Sequence, residues 1–169
     1  MAEWIIEPLE RSHEREEFHC GHDALDSFLK TLAGQYEKRG IGRTFVAVRP
    51  GEKRVFGYYT SAAGSFSLEA LPRSARKKLP KHSLPTIHLG RLAVDASCQG
   101  QRLGETLLVH FLHAVLKTAK EVGVYAVDVR AIDENSRRFY LKYGFLTLED
   151  APLHLYLPLA TVEQLLIGN

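Results

Sequence analysis

A chain of 169 residues and 19.0 kDa has room for one domain with a single core, not for two full ones. Its 45% hydrophobic and 25% charged residues are ordinary globular values and exclude a disordered, collagenous or fibrous chain. Its apolar runs are too short to span a membrane, its first residues lack the pattern of a signal peptide, and Cys20 and Cys98 fit neither a metal site nor a disulfide framework, so a soluble cytoplasmic domain without metal is expected.

Trp4 to Pro8 reads as a short first strand. From Asp23 to Arg39, Leu25, Phe28, Leu29, Leu32 and Tyr36 recur at helical spacing, and Gly40 and Gly42 end that helix. Thr44 to Val48 is a β-rich run. After the turn residues Pro50-Gly51-Glu52-Lys53, a longer strand from Val55 to Leu68 completes an antiparallel hairpin. Pro72, Pro80 and Pro85 restrict the next stretch to a short helix around Arg73 to Leu79. Thr86 to Asp95 returns to strand. Leu103 to Glu121 is a helix with Leu103, Leu107, Phe111, Ala114 and Val115 on one face. A strand from Val124 to Arg130, a short helix from Asn135 to Tyr143 and strands at Phe145 to Leu148 and Leu153 to Leu159 follow, then a last helix from Thr161 to Ile167. This order predicts an α/β layer protein with a mixed sheet.

Charge is unevenly distributed. Between Ala70 and Val94 lie Arg73, Arg76, Lys77, Lys78, Lys81 and Arg91 with no acidic residue, leaving the rest of the chain with 16 basic against 20 acidic residues. Such a segment suits either a polyanionic partner or a solvated loop.

Two constellations carry chemistry. The first runs from His88 through Asp95 to Gly104. There a strand ends, a polar loop with Gly100 follows, and an amphipathic helix begins. Exposed N–H groups at the helix start, its dipole and Arg102 suit a diphosphate. The loop lacks the GK[ST] ending of a nucleotide triphosphate site, and Gly90, Gly100 and Gly104 do not have dinucleotide spacing, so a diphosphate-bearing acyl carrier such as coenzyme A is the better fit. The second is Asn135-Ser136-Arg137-Arg138-Phe139-Tyr140-Leu141-Lys142-Tyr143-Gly144-Phe145, a short helix capped by Asp133 or Asn135. Its aromatics serve either packing or, through the Tyr140 hydroxyl, proton donation to a leaving group. The eight histidines show no ligand pattern, although His88 on its strand could act as a base. No GxSxG elbow surrounds Ser97 or Cys98.

Gln99-Gly100-Gln101-Arg102-Leu103-Gly104 resembles the signature loop of the GNAT superfamily of acyl-coenzyme A N-acyltransferases, with Arg102 at the middle glycine. Asn135 with Phe139-Tyr140-x-x-x-Gly144-Phe145 is similar to the superfamily's second signature. More specifically, the chain resembles the GNAT toxins of bacterial type II toxin–antitoxin modules, which acetylate aminoacyl-tRNA. That resemblance rests on Phe18-x-Cys20-Gly21-x-x-x-Leu25-Asp26-x-Phe28-Leu29, Thr44-Phe45-Val46-Ala47-Val48, Gly57-Tyr58-Tyr59-Thr60 and Leu89-Gly90-Arg91-Leu92-Ala93-Val94-Asp95.

The resemblance implies one GNAT N-acetyltransferase domain over residues 1–169, with a mixed, mostly antiparallel sheet flanked by helices and splayed strands forming an acetyl-CoA cleft. By the same resemblance, Leu92, Ala93 and Val94 would pair with pantetheine, Gln99, Gly100, Gln101, Arg102, Leu103 and Gly104 would hold the pyrophosphate, and Asn135 would contact the cofactor. Tyr140 would be the general acid. Arg73, Arg76, Lys77, Lys78, Lys81 and Arg91 would meet tRNA phosphates, with Lys30, Lys38, Arg39 and Arg43 as possible neighbours. A homodimer, a ribbon-helix-helix type antitoxin and inhibition of translation are further expectations. Alternatives are acetylation of a small amine or of a protein or peptide amine, and a binding module that holds coenzyme A or RNA without catalysis.

Overall fold

The computed structural model describes residues 3–167. Its strands are β1 (Ile5–Pro8), β2 (Arg43–Val48), β3 (Gly57–Phe66), β4 (Leu84–Val94), β5 (Ala126–Arg130), β6 (Leu146–Thr147) and β7 (His154–Pro158). They form a mixed seven-stranded sheet in the order β1-β2-β3-β4-β5-β7-β6. Antiparallel strands can be joined by tight turns, whereas the parallel pair β4 and β5 needs a crossover, which the chain supplies between them as a long helix. The register of that pair runs from Thr86↔Ala126 to Leu89↔Val129, and β4 itself goes on to Val94. The chain divides into two compact units, Met1–Ala62 with Gly90–Leu112 and Ala63–Leu89 with His113–Asn169.

In the first unit, β2 and β3 form the expected hairpin, paired from Arg43↔Ser61 to Ala47↔Gly57. The first helical region is not one helix. It comprises α1 (Asp23–Ser27), a π-helical turn over Phe28–Leu32 and α2 (Ala33–Arg39), ending at Gly40 with φ 70°. The wider π turn moves the inward face on by one residue, so that Ala33 is fully buried while Leu32, which the α-helical spacing placed inside, is 40% exposed. Phe18, Phe28, Leu29, Ala33, Val46 and Tyr58 make the core here. Burying each large apolar side chain contributes about 1.5–3 kcal/mol. The long helix α3 (Leu103–Ala119) starts in this unit. A Cβ on Gly57 would stand 2.9 Å from Leu107 and 3.1 Å from Leu103, which is how closely the helix approaches β3.

The second unit holds β5, β6 and β7 with α4 (Glu134–Lys142) and α5 (Leu159–Ile167). Its core joins Phe66, Leu71, Leu84, Ala126, Leu148 and Tyr156. The short helix expected from Arg73 to Leu79 is only a 3-10 turn over Arg73–Ala75. Lys78, at φ 68°, takes a left-handed conformation that no α-helix continues through, and Pro80 biases Leu79 away from the helical region.

Candidate functional site

In the first unit, β4 ends at Val94, and the backbone then turns around the carboxylate of Asp95. Asp95 is 4% exposed and accepts hydrogen bonds from Ser97 Oγ at 2.5 Å, Ser97 N at 3.1 Å and His19 N at 2.9 Å. Burial alone would raise this carboxyl, but the three donors outweigh it and hold its pKa below the usual value. Gln99 contributes through its side-chain amide, which donates to the carbonyls of Cys20 at 2.9 Å and Val94 at 3.0 Å. Its side chain therefore braces the loop.

Gly100 at φ 81° and Arg102 at φ 65° are both left-handed. For glycine this is easy, whereas for arginine it costs about 1–2 kcal/mol. The first α-helical bond of α3 runs from Thr106 N to the Arg102 carbonyl at 3.0 Å, so the N–H groups of Leu103, Gly104 and Glu105 precede the helical ladder. Arg102 stands at the N-cap with no side-chain oxygen to satisfy them. The result is a turn of backbone donors at the positive end of a 17-residue helix, beside an exposed guanidinium, and it fits a pyrophosphate.

In the second unit, Asp133 caps α4 by accepting from Ser136 N at 2.8 Å and Ser136 Oγ at 3.0 Å, which decides the cap between the two expected residues. Asn135 is exposed in the first turn, where its Oδ1 accepts from Arg138 at 3.3 Å. Gly144, at φ 94°, closes the helix and turns Phe145 back against Tyr140, with 5.3 Å between ring centroids. Tyr140 is 5% exposed and lies 5.2 Å from Phe139. Burial pushes its phenol above the ordinary pKa of 10, so it remains a protonated donor at neutral pH.

A third cluster lies on β4, β5 and β7 of the second unit. Asp128 accepts from Thr86 Oγ1 at 2.7 Å, His88 Nδ1 at 3.1 Å and His154 Nε2 at 2.7 Å. His154 also reaches Asp150 through Nδ1 at 2.9 Å. Burial works against ionising Asp128, but the bonds from His154, His88 and Thr86 prevail and depress its pKa well below the carboxylate range. Burial likewise opposes a charge on His154, yet its bonds to Asp128 and Asp150 raise its pKa above 6.5. A carboxylate on each nitrogen favours the protonated ring.

The acetyltransferase (GNAT) family matches residues 4–145. The chain belongs to that family. A tRNA-acetylating toxin of Mycobacterium tuberculosis (strain ATCC 25618 / H37Rv) is 36% identical to it over 90% of this chain and 89% of the relative. Among solved structures, AtaT complexed with acetyl-methionyl-tRNAfMet is similar with a TM-score of 0.90 and 34% identity, covering 96% of this chain and 99% of that one. A mutant AtaT toxin bound to the C-terminus of the antitoxin AtaR and to acetyl-CoA has a TM-score of 0.83 and 30% identity, covering 97% and 98%.

As a GNAT acetyltransferase the protein uses acetyl-CoA, and the turn from Gln99 to Gly104 has the donors that such a co-substrate needs. The basic residues fall into two groups. Arg73, Lys77, Lys78 and Lys81 are exposed in the second unit. Arg76 instead ties its own segment together, donating to the carbonyls of Leu71 at 2.8 Å and Glu69 at 2.9 Å and pairing with Glu149 at 3.8 Å. Arg91, in the first unit, lies 3.7 Å over the Phe28 ring and 5.6 Å from that of Tyr36. A cavity of about 340 Å³ in the first unit is lined by Arg15, Lys30, Glu37 and Lys38 among others, and by none of the expected cofactor residues. Among the described residues, no three His, Cys, Asp or Glu are grouped to hold a metal, and no helix is long and apolar enough to cross a membrane.

Sequence reasoning missed the Asp128 cluster. The signal was present in Ala126-Val127-Asp128-Val129, a carboxylate inside an otherwise apolar strand, since a buried charge must find partners.

Proposed function

We propose that this acetyltransferase moves the acetyl group of acetyl-CoA onto the amino group of an aminoacyl-tRNA, blocking translation as the toxin of a toxin–antitoxin pair, and that residues 1–169 serve as one GNAT domain. The observation that carries the reading is the near full-length likeness both to a tRNA-acetylating toxin and to AtaT complexed with acetyl-methionyl-tRNAfMet. In this reading the backbone of Leu92, Ala93 and Val94 pairs with the pantetheine arm as an added strand would. The N–H groups from Gln99 to Gly104, with Arg102, bind the pyrophosphate, and Asn135 contacts the cofactor.

The chemistry closes with few groups. A free α-amine has a pKa near 8 and esterification lowers it, so a substantial neutral fraction exists at about pH 7. Its lone pair attacks the thioester carbonyl, and backbone donors at the end of β4 stabilise the oxyanion. The carbon–sulfur bond then breaks, Tyr140, protonated because it is buried, gives its proton to the departing thiolate, and the proton shed by the new amide nitrogen returns through solvent to the tyrosinate. The exposed cations Arg73, Lys77, Lys78 and Lys81 meet tRNA phosphates, while Arg76 and Arg91 act there chiefly by holding the surface in shape. The reading includes a homodimer, a ribbon-helix-helix type antitoxin as the neutralising partner, and action in the cytoplasm, where charged tRNA is found.

The test is incubation of the protein with isotope-labelled acetyl-CoA, total charged tRNA, a polyamine and a peptide in parallel. Label is expected in the charged tRNA, on the amino acid. Label in the polyamine or peptide alone would replace the proposed acceptor.

A further inference from the structure

The run Phe18-x-Cys20-Gly21-x-x-x-Leu25-Asp26 has no part in the chemistry above, yet it grips the turn after β4. Three hydrogen bonds join the two segments, all within the first unit. His19 N donates to Asp95 Oδ1 at 2.9 Å, Ala96 N donates to the His19 carbonyl at 2.7 Å, and Gln99 Nε2 donates to the Cys20 carbonyl at 2.9 Å. The turn needs such a hold. Arg102 stands at φ 65°, and a residue with a Cβ keeps a left-handed backbone only where its surroundings over-determine it. A turn already fixed in its binding shape also loses less freedom when a ligand arrives.

The gripping segment is itself anchored. Phe18 is 1% exposed and meets the Tyr58 ring edge-on, with 5.6 Å between centroids. Tyr58 Oη donates to the Leu25 carbonyl at 2.7 Å, which fixes α1 next to Asp26. Asp26 turns its carboxylate back onto the segment: Oδ1 accepts from Cys20 N at 2.9 Å, and Oδ2 lies 3.3 Å from His19 Nδ1. Gly21, at φ 100°, supplies the bend between Cys20 and α1 that lets the carboxylate return. The Asp26 side chain is only 9% exposed, so its oxygens serve the segment rather than solvent.

Resting on the reading of Gln99 to Gly104 as the acetyl-CoA turn, we propose that the backbone of His19 and Cys20 is a clasp holding this turn in its binding shape, with Asp26 as its positioning residue. Asp26 acts on the co-substrate through Cys20 and Gln99, not by contact with it. The Gln99 side chain is the other half of the same link, because its amide reaches the Cys20 and Val94 carbonyls together. Asp26 therefore sets acetyl-CoA affinity and leaves the acetyl-transfer step untouched.

The experiment measures acetyl-CoA affinity by titration calorimetry for wild type, Asp26→Ala, Asp26→Asn, Gln99→Met and the double variant of Asp26→Ala with Gln99→Met. Losing one such hydrogen bond corresponds to about three- to tenfold, so Asp26→Ala and Gln99→Met are each expected to weaken binding by about that factor. Asp26→Asn keeps an oxygen for Cys20 N and should bind close to wild type. The double variant should bind only about as weakly as the weaker single one, because both changes break one link. At saturating acetyl-CoA, Asp26→Ala should turn over charged tRNA at the wild-type rate with an unchanged KM for tRNA, which a merely destabilised protein would not do. Wild-type affinity in Gln99→Met overturns the proposal by itself, even where Asp26→Ala fails to fold, and so do single effects that multiply in the double variant. A wild-type protein without affinity for acetyl-CoA overturns the cofactor reading instead. Variants that bind acetyl-CoA as wild type does leave that reading standing and remove only the clasp.

Discussion

Arg102 is the sharpest point at which to perturb the proposed acetyl-CoA cradle, because it combines strain and charge in one residue. At φ 65° it occupies left-handed space, which costs about 1–2 kcal/mol for a residue with a Cβ. Arg102→Gly removes that strain but returns about 0.5–1 kcal/mol of freedom to the unfolded chain. The net expectation is a gain of about 0.5–1 kcal/mol, which at this chain length raises Tm by about 1–4 °C. Arg102→Ala keeps the strain and should leave Tm near the wild-type value. Both variants lose the guanidinium, and since the residue is exposed, the loss should weaken acetyl-CoA binding only about fivefold. Scanning calorimetry gives the first quantity and titration calorimetry the second. Equal Tm values for the glycine and alanine variants would refute the strain argument, and unchanged acetyl-CoA affinity in both would refute the placing of the pyrophosphate.

The two groups of basic residues should separate by assay. Lys77→Glu with Lys81→Glu should weaken binding of charged tRNA and flatten its salt dependence by about 0.9 in log–log slope for each phosphate no longer neutralised, with little change in Tm. Arg76→Ala should instead lower Tm, because its guanidinium holds the Leu71 and Glu69 carbonyls, and filter binding over a salt series together with melting curves checks both. For the Asp128–His154 pair the sign follows from the two shifts. Asp128 is depressed from 3.8, so its contribution is present above that value and fades at lower pH; His154 is raised from 6.5, so its contribution is full below that value and fades as pH rises through the shifted one. The stability of wild type over Asp128→Asn should therefore be greatest between pH 3.8 and 6.5, at about 3 kcal/mol or more. Urea melts across pH that show a constant difference would contradict the linkage.

Local features were readable from the residues because they depend on local physics. The hairpin follows from β-branched runs around Pro50-Gly51, and the break after Arg39 follows from Gly40. The order of strand, glycine loop and helix from His88 to Gly104 was legible because these pieces are contiguous. Three features were not legible. The π turn at Phe28–Leu32 adds a residue to a helix whose apolar spacing fits an unbroken one, so the exposure of Leu32 and the burial of Ala33 were hidden. The left-handed backbone of Lys78 shortens a helix that propensity alone would continue. The Asp128 cluster draws His88, Asp128 and His154 from three strands, and only the register of β4, β5 and β7 brings them together.

The central claim is that acetyl-CoA held at the end of β4 delivers its acetyl group to an aminoacyl ester with the help of the Tyr140 phenol. Mass spectrometry of charged tRNA after one turnover, with wild type and Tyr140→Phe side by side, tests it most directly. The account predicts N-acetylated amino acid on the tRNA with wild type and none above background with Tyr140→Phe, although that variant still binds acetyl-CoA. Acetylation at the wild-type rate by the phenylalanine variant, or charged tRNA left unmodified by an active wild-type enzyme, would contradict it.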